Sequence, residues 1–277
     1  MNINLLTEVE VESLNRLIDE ANHIAIYTHR SPDGDAIGST LGMANYLKQR
    51  GKEDVKVIVP DMFPNFLQWL PGTMDILRHD KKKEEAEAAT RNADLLLCLD
   101  FNDASRTAEL EPLITESTAH KVLIDHHLNP TVDADISVSH PEACSTCELV
   151  FRLIWQLGGF EEMDKDVAVP IYCGMMTDTG GFTYNSNRPE IFFIISQLLT
   201  KGINKDKIYR NVFNNYSLWR LRLMGYVMYT KLNVFAEYHA AYFTLTRRDL
   251  KHFHFMKGDA EGLVNMPLQI KGTRLSI

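Results

Sequence analysis

His23-Ile24-Ala25-Ile26-Tyr27-Thr28-His29-Arg30-Ser31-Pro32-Asp33-Gly34-Asp35 is the stretch on which the fold turns. Residues 24–27 form an apolar run too short for a helix and closed by a turn, so they read as a buried strand. Ser31-Pro32-Asp33-Gly34 has the composition of that turn. A helix is expected from about Asp35 to Arg50, where Gly51 can end it. Strand, turn and helix in this order open an α/β unit. His29, Asp33 and Asp35 leave the strand at its carboxyl end, where open parallel sheets place their ligand sites.

The same pattern recurs downstream. Residues 55–59, Leu95–Leu99, 122–124 and 136–138 read as further strands. Residues 8–21 show an amphipathic stripe of Val11, Leu14, Leu17 and Ile18, and 81–90 read as a charged, solvated helix. Ser145-x-x-Glu148 before Leu149, Val150 and Leu153 has the form of a capping box opening a long helix that Gly158-Gly159 ends. Residues 167–177 read as a buried helix that delivers Asp178, and 191–199 and 207–213 as two more helices. Strands alternating with helices predict an α/β fold, a mostly parallel sheet with helices on both faces. The character changes near Asn233. Residues 233–235 and 240–246 are expected as antiparallel strands, and 274–277 as the start of another, in a smaller, incomplete C-terminal α/β domain. The expected division is a first α/β domain over 1–187, a helical linker over 188–214 and a smaller, partial domain over 215–277.

The chain has 277 residues, 45% hydrophobic and 24% charged, the composition of an ordinary globular protein with room for two domains. No window approaches the roughly 20 apolar residues of a membrane span. Met1-Asn2-Ile3-Asn4 has no basic region followed by an apolar stretch, so no secretory signal is expected. Four cysteines are too sparse for a disulfide framework, and Cys144-x-x-Cys147 has no second pair to complete a metal site. Both points fit a reducing cytoplasm. Residues 1–187 carry 15 Lys and Arg against 31 Asp and Glu, while 188–277 carry 14 against 6. The acidic part suits cations and the basic part suits phosphate. The net charge of -8 argues against tight binding of long duplex nucleic acid.

Six groups carry the candidate chemistry: His29, Asp33, Asp35, Asp100, His126 and Asp178. Each alone has a plain structural role: a turn for Asp33-Gly34, a helix cap for Asp100, one core and one surface histidine for His126-His127. Together at strand and helix ends they would repel and desolvate one another unless cations were bound. Oxygen-rich sites with some imidazole favour Mn²⁺ or Mg²⁺. Two such ions, roughly 3.5–4 Å apart, can activate water and clamp phosphate oxygens.

These residues, in the form His29-x-x-x-Asp33-Gly34-Asp35, Asp100, Asp125-His126-His127 and Thr177-Asp178-Thr179-Gly180-Gly181-Phe182, resemble the DHH phosphoesterase superfamily. The resemblance covers residues 1–187 and is nearest the DHH–DHHA1 branch, which degrades very short RNA and dephosphorylates 3′-phosphoadenosine 5′-phosphate. It implies two divalent ions, Mn²⁺ before Mg²⁺. His29, Asp33 and Asp100 would hold the first, and Asp35, Asp100, His126 and Asp178 the second, with Asp100 bridging. It further implies His127 beside the substrate phosphate as ligand or proton donor, with Asp125 orienting the histidines. The expected partner is short single-stranded RNA or a small nucleotide, with a homodimer left open. Arg106 is a candidate phosphate contact, and Gly180 and Gly181 are candidates for close approach of backbone to substrate. Trp219, Tyr226 and Tyr229 are expected in packing, and His252-x-His254 is not expected to bind metal.

The family's second domain normally carries a Gly-Gly-Gly-His segment that helps hold substrate, and this sequence contains none. Two other functions therefore stand beside the phosphoesterase. One is an inorganic pyrophosphatase or exopolyphosphatase. The other is a catalytically impaired nucleotide-binding protein.

Overall fold

The computed structural model describes residues 3–260 and 262–277. They fall into two compact units, one ending at Val212 and one running from Phe213 to Ile277. The helices of 188–214, expected as a linker, thus lie largely within the first unit.

The first unit is built on six parallel strands: β1 (His23–Tyr27), β2 (Asp54–Val59), β3 (Leu77–Arg78), β4 (Leu95–Leu99), β5 (His120–Asp125) and β6 (Ile136–Ser139). Their order is β3-β2-β1-β4-β5-β6. The chain winds outward in one direction from β1 and in the other from β4. The crevice between these two strands is where a doubly wound sheet accepts its ligand.

Strand side chains alternate between faces. Ala25, Tyr27, Leu96, Cys98 and Leu123 share a buried cluster with Ala86 of α3 (Lys83–Asn92) and Ile114 of α4 (Glu111–Thr115). The alternate residues Ile24, Ile26, Leu95, Leu97, Leu99, Val122 and Ile124 are equally buried. Both faces being dry explains why these strands read as continuous apolar runs.

Three long helices pack together: α2 (Gly34–Gln49), α5 (Thr146–Gln156) and α6 (Lys165–Asp178). The approach of α2 to α6 is unusually close because Gly34, Gly38 and Gly42 recur every fourth residue on one face of α2. A Cβ on Gly34 would lie 2.2 Å from Oγ1 of Thr177, and one on Gly42 2.6 Å from Cγ1 of Ile171. On Gly38 it would lie 2.6 Å from the carbonyl oxygen of Pro170. This contact brings the start of α2, with Asp35, next to the end of α6, with Asp178. α7 (Pro189–Thr200) then packs on α5 and α6, and α8 (Lys205–Phe213) follows.

The second unit contains α9 (Leu218–Tyr226), β7 (Asn233–Phe235), β8 (Ala240–Tyr242), α10 (Arg247–His252) and β9 (Leu275–Ser276). β7 pairs with β8 antiparallel and β9 joins β8 in parallel. Leu223, Val227, Phe253 and Leu263 form its core. The strand expected over 240–246 stops at Tyr242, because Thr246 and Asp249 form a capping box that starts α10. His252 is therefore helical, and His252-x-His254 does not lie on a strand. Tyr226 packs on Phe253 and Trp219 on His254, as expected of packing residues, but Tyr229 is 95% exposed.

Gly38→Ala should lower stability by about 1–3 kcal/mol, because the added methyl meets backbone that cannot swing aside. Gly225→Ala, with nothing within 4 Å of the new methyl, should not. Thermal denaturation of the two variants checks this, and equal melting temperatures would refute the close-packed seam.

Candidate metal centre

The loops after β1, β4 and β5 and the end of α6 converge on one cluster. His29 follows β1, and its Nδ1–H donates to the carbonyl of Arg30 at 2.8 Å. In the neutral ring that fixes the tautomer and puts the lone pair on Nε2, which faces the cluster. Nε2 lies 3.5 Å from Oδ2 of Asp100 and 3.9 Å from Oδ1 of Asp33. Asp33 caps α2, accepting from the N–H groups of Asp35 and Ala36 at 3.0 Å each. Asp100 ends β4 with φ 66, a left-handed conformation that Asp tolerates better than most residues.

His126 repeats the arrangement of His29. Its Nδ1–H donates to the carbonyl of Ala143 at 3.3 Å. Its Nε2 faces Oδ1 of Asp100 at 3.6 Å, Oδ2 of Asp178 at 3.7 Å and Oδ2 of Asp35 at 3.9 Å. His127 is turned the other way: Nδ1–H donates to Oδ1 of the fully buried Asp125 at 2.7 Å. The backbone N–H of His127 donates to the other oxygen of Asp125 at 3.1 Å.

Asp35 is buried among carboxylates, and its support comes from α5. The N–H of Thr146 donates to Oδ2 at 2.6 Å and that of Cys147 to Oδ1 at 2.9 Å. A helix N-terminus is a natural seat for a carboxylate. The Thr146 hydroxyl donates to Oδ1 of Asp100 at 2.9 Å. The start of α5 thereby holds two of the candidate ligands.

The charges do not balance within the protein. Burial, then Asp100, Asp178 and Asp33, push the Asp35 carboxyl well above its ordinary range. Burial, then Asp100 and Asp33, push Asp178 up to about 8. Burial opposes the His29 imidazolium, but the neighbouring Asp100 and Asp33 outweigh it and raise that ring to about 9. For Asp100, burial is outweighed by His29, His126 and His127, and its carboxyl is lowered. Three groups of ligand atoms lie within 4.8 Å of one another: His29, Asp33 and Asp100; Asp35, His126 and Asp178; and Asp100, His126 and His127. Carboxylate oxygens with imidazole Nε2 atoms turned towards them fit a divalent cation, and ligands about 2.1 Å from one ion lie roughly 3–4 Å apart.

The description "DHH family, N-terminal domain" matches residues 23–175, more than half of the chain. This chain belongs to the DHH family. A crystal structure of an exopolyphosphatase-related protein from Bacteroides fragilis is similar to this DHH protein, with a TM-score of 0.92 and 49% identity. The match covers 97% of this chain and 79% of that one. The bifunctional oligoribonuclease and PAP phosphatase NrnA of Thermus thermophilus is 33% identical over 208 residues, 75% of this chain and 58% of the relative. The probable NrnA of Streptococcus mutans is 25% identical over 249 residues, covering 89% of this chain and 74% of its own length. The chain spans less than two thirds of the first curated relatives it matches.

The DHH motif residues expected from the sequence are thus brought together. Arg106 lies close enough to His127 for its charge to oppose protonation of that ring, and its carbonyl accepts from the N–H of Arg30 at 2.7 Å. Gly180 and Gly181 sit just past Asp178 with φ of 55 and 73. Their N–H groups are spent on the carbonyls of Thr177 and Met176, so they terminate α6, and the Tyr184 ring occupies the space of a Gly180 Cβ. Thr146 and Cys147 were not singled out as site residues. Ser145 does cap α5, but the Glu148 carboxylate accepts from Cys144 N–H at 2.8 Å, one residue before the partner a capping box requires. The signal for Thr146 and Cys147 was the helix start itself.

In metal-free protein the raised Asp35 and Asp178 pKa values mean the folded state holds protons the unfolded chain has released. Stability should therefore fall as pH rises from about 4 towards 8. The raised His29 adds in the same sense, its contribution being lost between its ordinary value of 6.5 and about 9. A bound cation removes the need for those protons. Melting temperatures with EDTA and with Mn²⁺ should diverge as pH rises from 5 to 8, and parallel curves would contradict the metal centre.

Proposed function

We propose that this protein is a metal-dependent phosphoesterase acting on short oligoribonucleotides, including linear dinucleotides, and on 3′-phosphoadenosine 5′-phosphate. The observation that carries the reading is the placement of Asp100. Its two oxygens face the Nε2 atoms of His29 and His126 separately, at 3.5 and 3.6 Å. That is what a carboxylate bridging two cations needs. In this reading His29, Asp33 and Asp100 would hold one Mn²⁺ or Mg²⁺, and Asp35, Asp100, His126 and Asp178 would hold the other. Such ions, when bound, make water a nucleophile at neutral pH and offset phosphate charge.

The protein's own groups do the rest. Asp125 holds His127 by its Nδ1–H, which orients the ring and raises its pKa. The Nε2–H of His127 can then donate to a phosphate oxygen or pass a proton to the leaving oxygen. Arg106 supplies a second cation beside that ring, suited to a phosphate oxygen. Thr146 and Cys147 hold Asp35 so that its oxygens stay turned to the cluster. The names of the Thermus and Streptococcus relatives support a nucleotide substrate. The four buried cysteines are not joined in disulfides, which suits a reducing cytoplasm, and no helix among the described residues is long and apolar enough to cross a membrane.

A second reading, a pyrophosphatase or exopolyphosphatase, is favoured by the similarity to the exopolyphosphatase-related protein of Bacteroides fragilis. Hydrolysis of a dinucleotide, 3′-phosphoadenosine 5′-phosphate and pyrophosphate in one Mn²⁺ buffer separates the two. Turnover of the first two substrates over pyrophosphate is expected. The reverse order selects the second reading, and Mn²⁺ binding without turnover of any of them selects a nucleotide-binding protein. Asp100→Asn should cost at least about 100-fold in turnover, beyond the 10–100-fold typical of groups that only support a ligand. Near-normal rates in that variant would refute the bridge.

A further inference from the structure

Glu148 is fully buried in α5 and does not face the metal cluster. Its Oε1 accepts from Nη1 of Arg152 at 3.1 Å and from Nη2 of Arg188 at 2.6 Å. Its Oε2 accepts from the same Nη2 of Arg188 at 2.6 Å and from the backbone N–H of Cys144 at 2.8 Å. Its own N–H donates to Oγ of Ser145 at 3.1 Å. A carboxylate removed from water persists only when charge and hydrogen bonds replace its hydration, and two guanidinium groups do so here.

The two arginines are not equivalent. Arg152 is one turn along the same helix and also binds the carbonyls of Ile3 at 2.8 Å and Asn4 at 3.3 Å. Arg188 comes from a different segment, the residue that precedes α7, and is a third exposed. It therefore ties the chain beyond Asp178 to the turn at 144–147. That turn presents Thr146 and Cys147 to Asp35 and the Thr146 hydroxyl to Asp100. Its position is set on one side by the cluster and on the other by Glu148.

We propose that Arg188, acting through Glu148, is a positioning residue for the metal centre. The pair holds the 144–147 turn where its two N–H groups clamp Asp35. Asp35 is a ligand only while its oxygens stay turned inward, so slack in the turn becomes slack in the coordination shell. The proposal rests on the metal reading of the site, but its first readout does not.

The experiment uses the full chain with Arg188→Met, Arg188→Lys and Glu148→Gln. Arg188→Met leaves Glu148 its bonds to Arg152 and Cys144, so the core stays paired even if Glu148→Gln fails to fold. The first measurement is amide hydrogen exchange at Thr146 and Cys147 in EDTA-treated protein. The second is the Kd for Mn²⁺ by titration calorimetry. In Arg188→Met both amides should exchange faster while the β1 and β4 amides do not, and the Mn²⁺ Kd should rise about 10-fold or more. Arg188→Lys should restore most of both effects, since one nitrogen, Nη2, makes both contacts. Unchanged exchange at Thr146 and Cys147, or a loss of protection spread evenly over the first unit, would overturn the positioning role. Wild-type protein that binds no Mn²⁺ would overturn the metal reading instead, with exchange still deciding the role of Arg188.

Discussion

A buried carboxylate is the constraint around which the first unit is arranged. Asp35 has almost no contact with solvent and lies beside Asp33, Asp100 and Asp178. Such a group is costly in a protein interior unless donors and countercharge surround it. The start of α5 supplies the donors, two backbone N–H groups aimed at its two oxygens. The countercharge must come from protons, the imidazoles or divalent ions. Nδ1–H groups held by the carbonyls of Arg30 and Ala143 suit the last, because the neutral rings then turn the Nε2 lone pair towards the carboxylates.

The remaining architecture serves that arrangement. A sheet wound outward from β1 and β4 places His29 and Asp100 on either side of the switch point. The glycine seam of α2 lets α6 approach closely enough to bring Asp178 into the same space. α2 could not carry an alanine at those positions and keep the same separation. Packing and chemistry thus meet at the start of α2, where Asp33 caps the helix and also faces His29.

Much of this was legible in the sequence. The apolar runs of β1, β4 and β5 announced buried strands, and the acidic and imidazole residues directly after them announced a site. What stayed hidden depends on pairing over long distances. Thr146 binds Asp35 across 111 positions, and no local pattern names that partner. The stripe Gly34, Gly38 and Gly42 was visible, but its use against α6 is a tertiary fact. Glu148 had the spacing of a capping box, yet two arginines, one of them buried, drew its carboxylate elsewhere. In the second unit, the apolar run after Ala240 was cut short by the capping signal at Thr246, a local cue that outcompeted strand propensity.

The spread of the ligand set along the chain, from His29 to Asp178, has a consequence for how the centre comes into being. β1, β4 and β5 must be in register before those groups meet, and such long-range pairing is slow to form. A nascent chain still short of Asp178 lacks a member of the group formed by Asp35, His126 and Asp178. The full set of candidate ligands is thus assembled only once the end of α6 has packed against the start of α2.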